Sequence, residues 1–312
     1  MKHSLLHITD NDNITQKLQK SSIKGTVITW RETLCEGKTT VDVGSESFWR
    51  MRFDFLKTSY KISKKNFIDY TVKEYRNLCN YKKKDEIVLW FDTGLFSQIN
   101  MIAVISWLKR YKSNHQISLA QNLNNEDVIL TFKNSSKNQL NKSFQSKITL
   151  SENDIEYADY IWQLYCADNP IPLENVHTFN SNSPFIALEK AIKTHLLRFP
   201  SIENGLNHLE NTILNTANNQ VFTTKTEFIN QLIYQQENLG FSENQYSNQL
   251  NRLKKLFTSF NPVKLSRIGK KVLHTQTNYY AKIRSDFSYL GGAKKYSYLY
   301  VNTTGKLLKI TS

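Results

Sequence analysis

Apolar and polar positions along the first 132 residues change period block by block. "SLLHIT" (Ser4 to Thr9) is a short apolar run that stops at the polar cluster Asp10, Asn11, Asp12, Asn13. Ile14 and Leu18 then stand four apart on one helical face, with Asp12 or Asn13 placed to cap that helix. Gly25 precedes a second strand, "TVITW", and residues 46–57 and 63–82 return to helical patterning. "DEIVLWFDTG" (Asp85 to Gly94) carries five consecutive apolar residues, Ile87 to Phe91, the pattern of a strand buried on both faces. The next segment places Leu95, Ile99, Ile102 and Ile105 or Ser106 at helical spacing, and "HQISLAQN" reads as a fourth strand. Strands alternating with helices predict an α/β fold: a mostly parallel, Rossmann-like sheet with flanking helices over residues 1–132.

The second half is patterned differently. Residues 133–200 begin as a polar stretch and continue into connecting helices. Ser151 with Asp154 resembles a capping box, Ser183-Pro184 places proline at a favoured first helical position, and Pro200 closes that segment. From residue 201 to 312 the pattern is mainly helical. Leu206, Leu209 and Ile213 share one face, a second helix is capped by Thr224 or Thr226, and a third follows Gly240. A turn at Asn261-Pro262 leads into "LSRIGKKVL". Three helices, a strand and a basic segment predict a winged-helix-like domain whose third helix ends at Arg252, Lys254 and Lys255. "YSYLYV" alternates as a half-buried strand should, in a hairpin turning at Gly291-Gly292.

Composition narrows the class. The 312 residues contain no apolar run near the roughly 18 residues of a membrane span. The N-terminus turns polar too soon for a signal peptide. Cys35, Cys79 and Cys166 are odd in number and far apart, without zinc-ligand or disulfide spacing. These features predict a soluble, cytoplasmic protein. Charge is informative once located. Residues 252–312 hold thirteen Lys and Arg against one acid, Asp286, and so carry +12 of the net +14. That asymmetry predicts a nucleic-acid partner met by Arg252, Lys254, Lys255, Lys264, Arg267, Lys270, Lys271, Lys294 and Lys295.

Parallel sheets bind ligands beyond the carboxyl ends of their strands. Three predicted strands end in polar clusters, Thr9 to Asn13, Trp30 to Glu36 and Asp92 to Gln98. Asp10, Asp12, Asn13, Trp30, Arg31, Glu36, Asp92 and Gln98 are therefore the candidate ligand-binding residues. For Arg31, Glu32 and Glu36 a ligand site and a structural ion-pair network fit equally well. If chemistry occurs, Arg31 would clamp an anion, and Glu36 or Asp92 would act as general base. Alternatively, Asp12, Glu36 and Asp92 would together hold a divalent metal; the residues name no particular cofactor. Neither a G-x-G-x-x-G fingerprint nor a P-loop is present. His7, inside a strand, reads as a core histidine, and Cys35 has no adjacent base to activate it.

Several stretches, in order, give the chain a resemblance to a family. "LHITDNDN", "WRETLCEG", "RFDFL" and "LWFDTGLFSQ" are followed by "RFPSIENGLNHLE", "LSRIGKKVL" and "DFSYLGG". Together they resemble a bacterial family known as domain of unknown function 1835, over nearly the whole chain. The resemblance implies a shared architecture and brings no activity with it. Asp10 and Asn11 stand where that family has Asn-Gly, Thr93 and Gly94 replace a His-Asp pair, and Ser97 replaces an Asp.

Three functional readings follow. The first is a binding protein, with a small polar or nucleotide-like ligand at the strand ends and nucleic acid on the basic C-terminal part. The second is a hydrolase or transferase acting on nucleotides or nucleic acid through Arg31, Asp12, Glu36 and Asp92. The third is a scaffold whose basic end meets an acidic protein.

Overall fold

A computed structural model describes residues 5–81, 86–123, 129–132, 134–178, 183–236 and 238–310. The predicted start of the third major strand at Asp85 and the position Lys82 lie outside the described residues. The first half runs Leu6–Thr9 (β1), Asp12–Gln19 (α1), Thr26–Thr29 (β2), Gly37–Lys38 (β3) and Glu46–Tyr60 (α2). Lys64–Phe67 (α3) and Lys73–Asn80 (α4) flank one turn of π-helix. Then come Ile87–Trp90 (β4), Leu95–Tyr111 (α5), Ile117–Ala120 (β5), Asn122–Leu123 (β6), Ile129–Leu130 (β7), Lys137–Gln145 (α6) and Ile148–Thr149 (β8).

One sheet has the order β2-β1-β4-β5-β8. Its first four strands are parallel and β8 is antiparallel. Leu6 lies opposite both Thr26 and Ile87, and Ile87 opposite Ile117, so Thr9, Thr29, Trp90 and Ala120 end in one row. Strand alternation divides the core into two. Leu6, Ile8, Ile28, Leu89 and Leu119 pack with α5 in the large core, while Val88, Trp90 and Ala120 meet Ile14, Leu18 and Leu140 on the other face. Helix α5 is buried from Leu95 through Leu108 apart from Phe96, because it lies between the sheet and two later helices, Glu152–Cys166 (α7) and Leu188–Leu196 (α8).

Two local expectations shift. The cap of α1 is Asn11, not Asp12 or Asn13: its backbone is extended and its side chain accepts from the Ile14 amide. Helix α8 begins at Leu188 rather than at Pro184. The Pro184 carbonyl is taken by Gln121 and the Phe185 amide by the Ser183 hydroxyl, which holds this segment as a turn.

The remainder contains His208–Asn219 (α9), Lys225–Gln235 (α10), Glu243–Leu253 (α11), Phe257–Phe260 (β9), Val263–Leu265 (β10), Arg267–Leu273 (α12) and Tyr280–Ile283 (α13). Tyr289–Gly291 (β11), Ala293–Lys294 (β12), Tyr298–Val301 (β13) and Lys306–Lys309 (β14) complete it. Strands β9 and β10 form an antiparallel pair after three helices. Gly291-Gly292 turns between β11 and β12, but the tyrosine-rich strand β13 pairs with β14 instead. That turn needs glycine: Gly291 has φ +66°, and a Cβ on Gly292 would lie 1.8 Å from the Cys166 carbonyl oxygen. Strand β11 also pairs in parallel with β3, joining a late segment to the loop after β2. Among the described residues no helix is long and apolar enough to cross a membrane.

Candidate ligand-binding cavity

The strand-end residues do come together at one edge, but as bonded pairs. Arg31 holds Asp12 at 2.6 Å through Nη2 and at 3.0 Å through Nε, and its Nη1 donates to the Tyr70 carbonyl. Asp10 is buried and accepts from the Ser97 hydroxyl and, at 2.6 Å, from Asn11 Nδ2. Asp92 accepts from the Phe132 amide, and Gln98 Nε2 donates to the Asp92 carbonyl. Burial first and the neighbouring Asp92 second push Asp10 up to about 7. Burial likewise pushes Asp92 up to about 6. Trp30 is buried against Trp49, and Asn13 is exposed on α1. The hollow beside Thr93 and Gln98 has a volume of about 10 Å³, room for a single water.

Glu36 leaves that edge because Arg52 turns the chain. The buried Arg52 guanidinium donates to Glu32 Oε2 at 2.9 Å and to the carbonyls of Thr33, Glu36 and Lys38. Asn100 fixes the Glu32 carbonyl from α5. Glu32 is therefore a structural ion pair. The correction to the expected carboxylate set is plain: Asp12 bonds Arg31, Asp92 bonds the Phe132 amide, and Glu36 faces another space. Among the described residues no group of three or more His, Cys, Asp or Glu could hold a metal ion.

That other space is a cavity of about 760 Å³, well within the range of small-molecule sites. Glu36 to Lys38 form one wall, α2 from Met51 to Tyr60 a second, α11 from Asn248 to Arg252 a third, and Phe287 to Leu290 a fourth. Arg198, Asn207, Leu209 and Lys295 complete the lining. Gly37 has φ +71°, and a Cβ there would lie 2.4 Å from the Phe55 ring, so the missing side chain lets Phe55 close against the loop.

The charges are unevenly matched. Tyr60 donates its hydroxyl to Glu36, whose other oxygen lies 3.9 Å from Arg198 Nη2. Arg198 also donates to the Cys35 carbonyl. Lys295 is buried and bonds Glu210 at 2.9 Å, and Glu210 is further held by the Asn207 amide. Burial would raise Glu210, but Lys295 and Arg252 outweigh it and keep the carboxyl below its usual range. Burial, opposed by Glu210 and reinforced by Arg252 and Arg198, draws Lys295 down to about 8. Three cations thus crowd one another. Arg252, with five donors to place, makes one long hydrogen bond of 3.4 Å to the Tyr296 hydroxyl among the described residues. Gln249 is buried, and among the described residues its Oε1 has no hydrogen-bond partner.

Pattern and spacing single out Glu36, Arg252 and Lys295 but not Lys38, Tyr60, Arg198 or Gln249. The one local signal was Arg198 standing in the apolar run "HLLRF". Lys295 does not face solvent with the other basic residues. Lys254, Lys255, Lys264, Arg267, Lys270, Lys271 and Lys294 are exposed, and Arg252 is exposed within the cavity wall. The turn at Lys254–Leu256 packs on α12, where the Ser266 amide bonds the Leu256 carbonyl, so Lys254, Lys255 and Arg267 stand on adjoining elements. His7 is buried, accepts from Trp90 Nε1 and meets the Lys24 carbonyl, as a core histidine. Burial pushes the Cys35 thiol up to about 12, which leaves it protonated and unreactive.

No family model matches the chain, and no curated protein matches it. Among solved structures it is similar to the DNA-binding, cleavage and re-ligation domain of Plasmodium falciparum topoisomerase II. The TM-score is 0.45 at 11% identity, over 82% of this chain and 42% of that one. It is also similar to the Plasmodium falciparum aspartate aminotransferase, with a TM-score of 0.23 at 12% identity, over 88% of this chain and 70% of that one. The chain thus spans less than half the length of the topoisomerase structure. The molecule is an α/β protein with a mainly parallel sheet and a cavity walled by segments from both halves of the sequence.

Proposed function

We propose that the protein binds a small anionic molecule in the cavity lined by Glu36, Arg198, Arg252 and Lys295. The observation that carries this reading is Arg252, a guanidinium in the wall of a ligand-sized hollow with most of its donors unused, beside two further cations. Lys295 and Arg198 have Glu210 and Glu36 beside them, but Arg252 has no ion-pair partner among the described residues, which favours a bound anion, and arginine suits carboxylate and phosphate geometry. The family resemblance points to the same place. "WRETLCEG", "RFDFL", "RFPSIENGLNHLE" and "DFSYLGG" each contribute lining residues, and we propose that members of that family share the cavity. Binding is favoured over catalysis because Glu36 is occupied by Tyr60 and Arg198 and Cys35 is inert. Titration calorimetry with pyrophosphate tests it: Arg252→Ala should weaken binding at least ~10-fold, the scale of a charge-assisted hydrogen bond. Equal affinity of the two proteins would sink the proposal.

A second reading concerns the exposed cations. The sequence has no acid between Glu243 and Asp286, and Lys254, Lys255, Arg267, Lys270 and Lys271 lie on adjoining elements. Helices α9 to α11 followed by the β9–β10 pair suit a winged-helix-like nucleic-acid surface. Binding to a DNA duplex should fall steeply with salt. Lys254→Glu with Lys255→Glu should flatten the log–log slope by about 2, roughly one per lost phosphate contact. A slope near zero in the unaltered protein removes this reading and favours an acidic protein partner.

A further inference from the structure

We infer that the anion belongs to a nucleoside phosphate whose base stacks among Phe55, Tyr289 and Phe287. The inference rests on the cavity being an anion site and adds what the rest of the ligand is. Phe287 is 93% exposed yet lines the cavity, so a large apolar ring is presented to that space with nothing covering it. Phe55 and Tyr289 line the same cavity, and each carries a cation on a ring face: Arg52 at 5.0 Å from Phe55 and Lys38 at 5.0 Å from Tyr289. Pairing of β11 with β3 places Tyr289 and Leu290 beside the Gly37 loop, and Gly37 in turn admits Phe55. These three aromatic rings therefore line the cavity.

The cations Arg198, Arg252 and Lys295 line the same cavity. Lys295 is held by Glu210 of α9, and Arg252 touches Tyr296, while Arg198 reaches back to Glu36. A ligand that uses both the rings and the cations needs a planar ring and an anionic group, and stacking on aromatic side chains is how proteins hold bases.

Titration calorimetry on the full chain with pyrophosphate, ribose 5-phosphate and AMP tests this. AMP should bind at least ~10-fold more tightly than ribose 5-phosphate, the low end of one stacked base. Phe287→Ala, an exposed position that leaves the core intact, should shrink the AMP advantage to under about 3-fold without changing ribose 5-phosphate affinity, since only the stacking is removed. Equal binding of AMP and ribose 5-phosphate overturns base recognition while the anion site stands. An AMP advantage untouched by Phe287→Ala overturns the placement of the base. Failure of all three probes to bind overturns the anion site itself.

Discussion

Asp10 shows what burial does to a single carboxyl. It lies in the row of strand ends, out of contact with water, with Asp92 close enough to repel it. Both folded-state values stand above the ordinary aspartate value, so the native state retains protons that the unfolded chain releases. The stability this pair contributes is fully present below about pH 4 and is lost as pH rises through 6 to 7. Asp10→Asn removes the dependence while keeping an acceptor for Ser97. Relative to the unaltered protein, the variant should gain on the order of 2–4 kcal/mol between pH 4 and pH 8 in urea unfolding. A difference that stays constant with pH would show that Asp10 titrates normally. His195, drawn down to about 3 by burial, titrates with the opposite sign and cancels in the comparison. None of this was legible locally: an Asp after a strand reads as a cap or a ligand until its neighbours are known.

Helix starts are the best-read elements because capping is settled within four residues. Ser151 with Asp154 and Thr224 with Glu227 form reciprocal boxes in the structure. Thr224 and Thr226 were both candidates, and the extended backbone at Thr224 selects it. Thr224→Ala should cost about 1 kcal/mol, whereas Thr226→Ala, at an exposed position inside α10, should be neutral within roughly 0.5 kcal/mol. Equal losses in chemical denaturation would mean that the cap contributes nothing. The four parallel strands of the main sheet were legible for a similar reason, since runs such as "IVLW" are buried on both faces, whereas the two-residue, exposed β8 carried no such signal. Asn11 and Pro184 misled because backbone conformation and a distant Gln121 decided those ends, and neither is a property of the local pattern.

At the scale of the molecule, late segments complete early ones. The β11–β3 pairing and the Lys295–Glu210 bridge join the last fifth of the chain to the loop after β2 and to α9. A buried ion pair adds little beyond well-packed apolar residues, but breaking one half leaves a charge stranded. Lys295→Met alone should therefore destabilise by about 3–5 kcal/mol, and adding Glu210→Leu should restore most of the loss. If the double variant is no more stable than the single one, the pair is not what holds these segments together.

The sequence by itself determined the alternation of strands and helices, the parallel sheet, several helix caps and the concentration of positive charge near the end. Each depends on periodicity, on neighbours within a turn, or on simple counting. Only the tertiary structure decided which charges meet. Arg31 and Glu36 stand five residues apart and part company because Arg52 turns the intervening loop. Arg198 then reaches Cys35 and Glu36 across 163 positions of sequence. Ion-pair choice follows from which elements pack together, so the strand-end residues meet as bonded pairs, while the proposed cavity draws its walls from both halves of the chain.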